Sequence, residues 1–325
     1  MKYKVISLFA GCGGLDLGFT GGFKFLDKQY SRQKFEIVWA NDIDAAACQT
    51  FNANFDIEIV PGDIRHILKT NELPKTADIV TGGFPCQDFS HAGKRQGFNN
   101  KRGLLYQSMV EVVKKISPVV FIAENVRGLL TMNSGGAIQT IVKDFEALGY
   151  HVVYKLLTAA DYGVPQTRER VIIVGTRKNM LPPFEYPKPT LCKDRWINLK
   201  TAIGDLEKAA EGSMPNHYWS NARKNKGQGN GLVSAEKPGP TMRTEHHGNI
   251  EWHWNGKRRL SAREAARIQS FPDNFIFLPS TSAAYKQIGN AVPPVLAWHL
   301  AADMQHFLDK HLITALNSAG MPGSI

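Results

Sequence analysis

The chain has 325 residues, 43% hydrophobic and 21% charged, enough for a large α/β domain with a smaller appendage and contrary to long disordered tracts. Lysine and arginine outnumber aspartate and glutamate by 39 to 29, and the resulting net charge of +10 favours a polyanionic partner, nucleic acid first. No stretch approaches the roughly 20 apolar residues of a membrane span, and MKYKVISLFAG has too short an apolar run for a signal peptide, so a soluble, cytoplasmic protein is expected.

In chain order, apolar runs bounded by turn residues predict strands at 3–9, 35–40, 57–61, 77–81, 119–123, 151–158 and 170–175. Helical spacing predicts helices at 15–20, 44–55, 103–117 and 135–148. Strands alternating with helices in this way indicate a parallel sheet wrapped by helices. The last two strands are joined by ADYGVPQTRER, too short for a crossover helix, so a terminal antiparallel pair is expected. After Gly175 the texture changes. The stretch 176–258 holds Pro-rich LPPFEYPKP, basic and Gly-rich ARKNKGQGNG, and aromatic HYWS and EWHWNG, without a clear period. Helical spacing resumes in SAREAARIQSF, with Ser261 as N-cap, and an amphipathic helix over 295–317 closes the chain.

The four cysteines, Cys12, Cys48, Cys86 and Cys192, form no CxxC pair and suggest neither a disulfide framework nor a thiolate zinc site. Cys86 stands apart. In GGFPCQDFS it sits on a Pro-bearing loop just past a predicted strand, placed to react rather than to pack. At the first strand end, Phe9-Ala10-Gly11-Cys12-Gly13-Gly14 allows a tight turn and close approach of a ligand to bare backbone. Asp42 follows the second strand, where it can accept ribose hydroxyls, and Asp63 follows the third, where it can accept from an adenine amino group. The full GxGxxG fingerprint and a pyrophosphate-binding lysine are missing, so a nucleoside without phosphates, such as S-adenosylmethionine, suits this edge better than NAD or ATP. Glu124 follows the most hydrophobic run; partial desolvation there would push its pKa upward and suit a proton donor, the alternative being a capping or ion-paired carboxylate. In QTRER, alternation on an extended chain would put Gln166, Arg168 and Arg170 on one side.

FAGCGG, GGFPCQDFS, AENVRG, QTRER, RLSAREAARIQSFPD and YKQIGNAVPP, in that order and at these spacings, resemble the motif series of the DNA cytosine-5 methyltransferases, of the bacterial restriction-modification type. The resemblance covers about 3–175 and 258–310. It implies an α/β fold, a Rossmann-like S-adenosylmethionine-dependent methyltransferase sheet with a small, irregular target-recognition domain. The catalytic and cofactor-binding domain would be 1–180, the target-recognition domain and hinge 181–284 (variable part 181–258), and 285–325 a segment returning to the catalytic domain. It also implies chemistry. The Cys86 thiolate adds to carbon-6 of a flipped-out cytosine, Glu124 stabilises the charge on the ring, and Arg168 assists. Carbon-5 then takes the methyl group, and Cys86 is expelled.

Carried over residue by residue, the methyl donor would be held by Phe9, Ala10, Gly11, Cys12, Gly14, Asp42, Ile43, Asp63, Ile64, Pro85, Leu105, Asn290, Ala291 and Val292. Ile43 stands where some relatives carry a tryptophan, so aliphatic contact would replace stacking. DNA would be met by Ser90, Lys94, Arg95 and Arg102 on a mobile loop, by Gln166 and Arg170, and in the variable part by Arg223, Lys224, Lys226 and Arg243, the last as a reader of guanine. His246, His247 and His253 fit no common zinc spacing, and no metal is expected. Double-stranded DNA is the expected partner, with no membrane or obligate protein partner and a monomer as the default. An RNA cytosine-5 methyltransferase on the same motifs is the chief rival. A catalytically silent DNA-binding protein is disfavoured by Cys86, Glu124 and Arg168 together, and a cysteine hydrolase by the lack of a recognisable histidine base.

Overall fold

The computed structural model describes residues 2–70, 72–85, 105–223, 230–243 and 250–318, with side chains as far as 312. Its strands are β1 (Tyr3–Leu8), β2 (Phe23–Phe25), β3 (Lys28–Tyr30), β4 (Phe35–Asp42), β5 (Val60–Pro61), β6 (Ile79–Gly82), β7 (Val120–Val126), β8 (Tyr150–Thr158) and β9 (Glu169–Arg177). A seven-stranded sheet takes the order β5-β4-β1-β6-β7-β9-β8, parallel from β5 through β7. The expected antiparallel pair at its end exists, but β9 lies inside it, antiparallel to both β7 and β8. The remaining strands, β2 and β3, form a short hairpin. It was not anticipated because three-residue strands carry too little alternation to register as a period.

The helices are α1 (Gly14–Thr20), α2 (Ala45–Asn54), α3 (Ile64–Thr70), α4 (Leu105–Ile116), α5 (Gly136–Glu146), α6 (Leu199–Ile203), α7 (Ala262–Ile268), α8 (Thr281–Asn290) and α9 (Pro294–Ser318). Alternation along the strands divides the sheet's apolar side chains between two layers of helix. Val5, Ile79, Ile122 and Ile172 pack with Phe19 of α1, Phe51 of α2 and Leu300 and Met304 of α9. Ile6, Val80, Phe121 and Ile173 face Ile67 of α3, Met109 and Val113 of α4, and Ile141 and Phe145 of α5. Such two-sided burial explains why the central strands read as unbroken apolar runs. Helix α3 was missing from the sequence reading, since only Ile64 and Ile67 of its seven residues are buried.

A third core lies beyond the sheet. Leu199, Ile203, Met242 and Ile250 share it with Leu260, Ile268, Phe271, Tyr285 and Ile288, so the aperiodic stretch after residue 180 packs against α7 and α8. Helix α7 begins as expected: Ser261 Oγ accepts from the Glu264 amide at 3.0 Å, and Glu264 accepts from the Ser261 amide at 2.7 Å, a capping box. Because this region has little regular structure, its carbonyls need donors from elsewhere. Fully buried arginines supply them. Arg263 donates to the carbonyls of Pro215, Pro272 and Phe275 at 3.0, 3.0 and 2.7 Å. Arg259 donates to those of Ala222 at 3.0 Å, Arg223 at 3.1 Å and Ile250. Part of the positive excess that pointed to a polyanion is therefore internal cement. Among the described residues no helix is long and apolar enough to cross a membrane.

Helix α1 carries a conflict. Asp16 is 1% exposed, and neither carboxyl oxygen makes a hydrogen bond of good geometry, the Ser7 hydroxyl being the polar group near it. Burial pushes its pKa up to about 6, a rise the neighbouring Ser7 hydroxyl only partly offsets. An acid whose folded pKa lies above its unfolded value of 3.8 takes up a proton on folding between those values, so stability falls as pH rises through that window. Relative to the parent, Asp16→Asn should gain about 2 kcal/mol in unfolding free energy between pH 4 and pH 7. Denaturant titrations at the two pH values measure this. An equal difference at both would assign the strain to shape rather than charge.

Candidate active site

The carboxyl ends of β1, β4, β5, β6 and β7 open into a cleft of about 550 Å³, within the range of small-molecule sites. All of the residues expected to hold a methyl donor line it, from Phe9, Ala10, Gly11, Cys12 and Gly14 through Asp42, Ile43, Asp63 and Ile64 to Pro85, Leu105, Asn290, Ala291 and Val292. The glycine turn makes this possible. Its backbone is left-handed at Gly11 (φ 57°), and a Cβ at Gly14 would stand 2.4 Å from the Val292 carbonyl oxygen, so only glycine lets the chain after α8 close over the turn. Cys12 is buried in that contact, and burial drives its thiol pKa upward, which suits packing and not attack.

Asp42 ties the turn to the second strand end. Its carboxylate accepts from the Gly11 amide at 2.7 Å and the Asp44 amide at 2.8 Å, and burial raises its pKa. Each oxygen keeps a further lone pair for a ligand hydroxyl. Ile43 beside it is 70% exposed, an apolar surface for a flat ring at the rim. Asp63 is engaged by Arg65, whose Nε lies 2.9 Å from Oδ1, and that guanidinium holds the carboxyl below the usual carboxylate range. Across the rim, Lys286 of α8 pairs with Asp44, the N-cap of α2, at 2.7 Å. Sequence reasoning missed Arg65 and Lys286, because a lone basic residue near an acid looks like any solvated pair.

At the opposite end of the cleft, Glu124 near the end of β7 is 8% exposed. Its Oε1 stands 2.7 Å from Nε of Arg170, on β9. The register accounts for the meeting: Arg170 lies opposite Val126 and Ile172 opposite Glu124, so residues 124 and 170 are diagonal neighbours on one face. A Cβ at Gly83 would come within 3.1 Å of Glu124 Oε2, so the loop leading to Cys86 passes directly beneath the carboxylate. Asn125 pins the same loop, its Nδ2 donating to the Phe84 carbonyl at 2.9 Å. Cys86 itself lies outside the described residues, as do Ser90, Lys94, Arg95, Arg102, Lys224 and Lys226.

Two expectations from QTRER need correction. Arg168 does not line the cleft; fully buried, it donates to the carbonyls of Met242, Gly289 and Ala291 at 3.0, 2.7 and 3.1 Å. Gln166 is also fully buried and cannot meet DNA. Arg170 lines the cleft and is the arginine that stands beside Glu124. Strand β9 begins only at Glu169, and upstream of it the chain leaves the sheet, the Thr167 amide bonding to the Gly239 carbonyl at 2.9 Å. Alternation counted back through Arg168 therefore gives no guide to its neighbours.

Arg223 and Arg243 are exposed. They flank the undescribed stretches 224–229 and 244–249, and one side chain ties those stretches' ends together: Arg259 bonds to residues 222 and 223, to Ile250 and, at 2.9 Å, to Asn230 Oδ1. His253 is fully buried, with Nε2 3.7 Å from Glu264 Oε1. Among the described residues, no group of three or more His, Cys, Asp or Glu is arranged to hold a metal ion.

The family model for C-5 cytosine-specific DNA methylase matches residues 3–232 and 214–306. Type II methyltransferase M.NgoFVII of Neisseria gonorrhoeae is 38% identical over 324 residues, covering 90% of this chain and 84% of that protein. M.NgoPII of the same organism is 37% identical over 341 residues, covering 94% and 96%. M.FnuDI of Fusobacterium nucleatum is 39% identical over 347 residues, covering 95% and 96%. Among solved structures, the S. pombe Dnmt2 methyltransferase superposes with a TM-score of 0.68 at 16% identity, over 95% of this chain and 99% of that one, a likeness of fold. A match of this extent, with relatives alike over nearly their whole length, makes the chain a member of the C-5 cytosine-specific DNA methylases.

Proposed function

We propose that the protein is the sequence-specific DNA cytosine-5 methyltransferase of a Type II restriction-modification system, a cytoplasmic monomer that protects double-stranded DNA from a cognate endonuclease. One observation carries the mechanism: a buried carboxylate–guanidinium pair, Glu124 and Arg170, stands over the loop to Cys86 at one end of a nucleoside-sized cleft. The residues that would hold S-adenosylmethionine line the rest of that cleft: Ile43, Asp42 and Asp63 for its adenosine, and the glycine turn with Asn290, Ala291 and Val292 for the remainder.

The target cytosine must leave the base stack, at roughly a few kcal/mol. Ser90, Lys94, Arg95 and Arg102 then hold phosphates around it, which makes binding salt-sensitive. Cys86, as thiolate, adds to carbon-6; the ring electrons shift so that carbon-5 becomes an enamine carbon, and Glu124 gives its proton to N3 and then accepts from N3–H and the exocyclic amine, which neutralises the charge on the ring. Arg170 keeps Glu124 in place and takes the assisting role first given to Arg168. When bound, S-adenosylmethionine supplies the electrophilic methyl group that carbon-5 takes up. Water takes the carbon-5 proton, the carbon-6–sulfur bond breaks, and Cys86 leaves as thiolate while the N3 proton returns to Glu124, restoring the 5,6 double bond. Sequence is read by a target-recognition domain over 181–284, with Arg223, Lys224, Lys226 and Arg243 as contacts.

The test is methyl transfer from labelled S-adenosylmethionine to unmethylated duplex DNA, followed by bisulfite sequencing. Protected cytosines sharing one short context are expected. Transfer into structured RNA and none into DNA would overturn the substrate, and transfer into neither would overturn the activity.

A further inference from the structure

Gln166, Arg168 and Gln269 are all fully buried, and neither the cleft nor the apolar cores account for them. Together they close a hydrogen-bonded ring. Gln166 Oε1 accepts from the Met242 amide at 2.9 Å, and Arg168 Nη1 donates to the carbonyl of the same residue at 3.0 Å. Gln166 Nε2 donates to Gln269 Oε1 at 2.5 Å, and Gln269 Nε2 in turn to the Ala291 carbonyl at 2.6 Å. Arg168 Nη2 returns to that carbonyl at 3.1 Å, completing the circuit.

Stability alone is a poor reason for such a ring. The Arg168 acceptors are backbone carbonyls, its Nε is buried without a partner, and burial works against its charge. Its charge is met by the C-terminal end of α8, through the carbonyls at 289 and 291, and by the more distant Glu124, and burial still outweighs both. What the ring joins is more informative. Met242, clamped at both its amide and its carbonyl, precedes the exposed Arg243. Ala291 belongs to the wall of the cleft. Neither segment can shift without breaking bonds held by the other, and in a buried ring each bond polarises the next.

We propose that this ring positions the reaction's two binding events, holding the Met242–Arg243 segment in register with the 289–291 wall so that duplex engagement and methyl-donor occupancy strengthen one another. The inference rests on the reading above of Arg243 as a DNA contact and of the cleft as the donor site. Gln166, Arg168 and Gln269 are positioning residues and touch neither ligand.

The experiment measures S-adenosylhomocysteine affinity by calorimetry, with and without a duplex carrying the site defined by bisulfite sequencing. The full chain is compared with Gln269→Ala and with Gln269→Glu, which keeps the volume but, ionised, cannot donate to the Ala291 carbonyl. In the parent, the duplex should tighten the ligand at least about fivefold, and linkage requires the ligand to tighten the duplex equally. In both variants this ratio should fall to within about twofold of unity, while affinity without DNA stays within about twofold of the parent. General loosening of the fold would weaken both measurements alike and would not produce that split. A parental ratio retained in either folded variant, a variant that loses donor affinity without DNA, or a parent with a ratio of one overturns the proposal. A parent that transfers no methyl group to DNA removes the underlying reading as well, and is seen before any variant is made.

Discussion

Cys86→Ser is expected to lower methyl transfer by about four orders of magnitude or more, with duplex and methyl-donor affinity within a few fold of the parent. The physical reason lies in ionisation. A thiol is a few per cent ionised near neutrality, whereas an alkoxide at the same position is present in vanishing amount. Without addition at carbon-6, carbon-5 has no enamine character and remains a poor nucleophile, whatever Glu124 does. Serine keeps the size of the side chain, so the proposed donor and duplex contacts are left in place. Single-turnover transfer and a separate duplex-binding assay measure the two halves; substantial residual turnover would remove Cys86 from the covalent role.

Arg170→Ala should impair both activity and stability. Removing one partner of a buried ion pair leaves the other charge unmatched, typically at about 3–5 kcal/mol. With side-chain exposures of 11% for both Arg170 and Glu124, solvent does little to relieve it. Transfer is expected to fall on the order of 10²-fold or more, as Glu124 loses the contact that orients it. The double variant Arg170→Ala/Glu124→Gln separates the effects. With no unpaired charge it should recover most of the stability and none of the activity, a coupling that a thermodynamic cycle measures directly. Equal stability of the single and double variants would show that the pair is unimportant to the fold.

Much of the candidate site was legible along the chain because its signals are local. A glycine turn after an apolar run, an acid at each of the next two strand ends, and a cysteine after a proline are features of consecutive residues. The sheet's own periodicity then brings the glycine turn, both acids and the proline to one edge. Other features lacked such a signal. Helix α3 shows too few buried positions, the β2–β3 hairpin too few residues, and Arg65 and Lys286 resemble ordinary surface charges until the cleft forms around them.

By itself, then, the sequence determined the parallel sheet and the edge at which the glycine turn, Asp42, Asp63 and Glu124 meet, since each follows from short-range order and from burial on two faces. Only the tertiary structure decided which arginine meets Glu124. Strand β9 inserts antiparallel beside β7 and brings Arg170 diagonally to the carboxylate, while Arg168, just outside the strand, crosses to the end of α8. Both residues sit in the same five-residue motif with the same charge. The register of a strand pair more than 40 residues apart in sequence, and the place where regular pairing stops, are non-local quantities that no local pattern encodes.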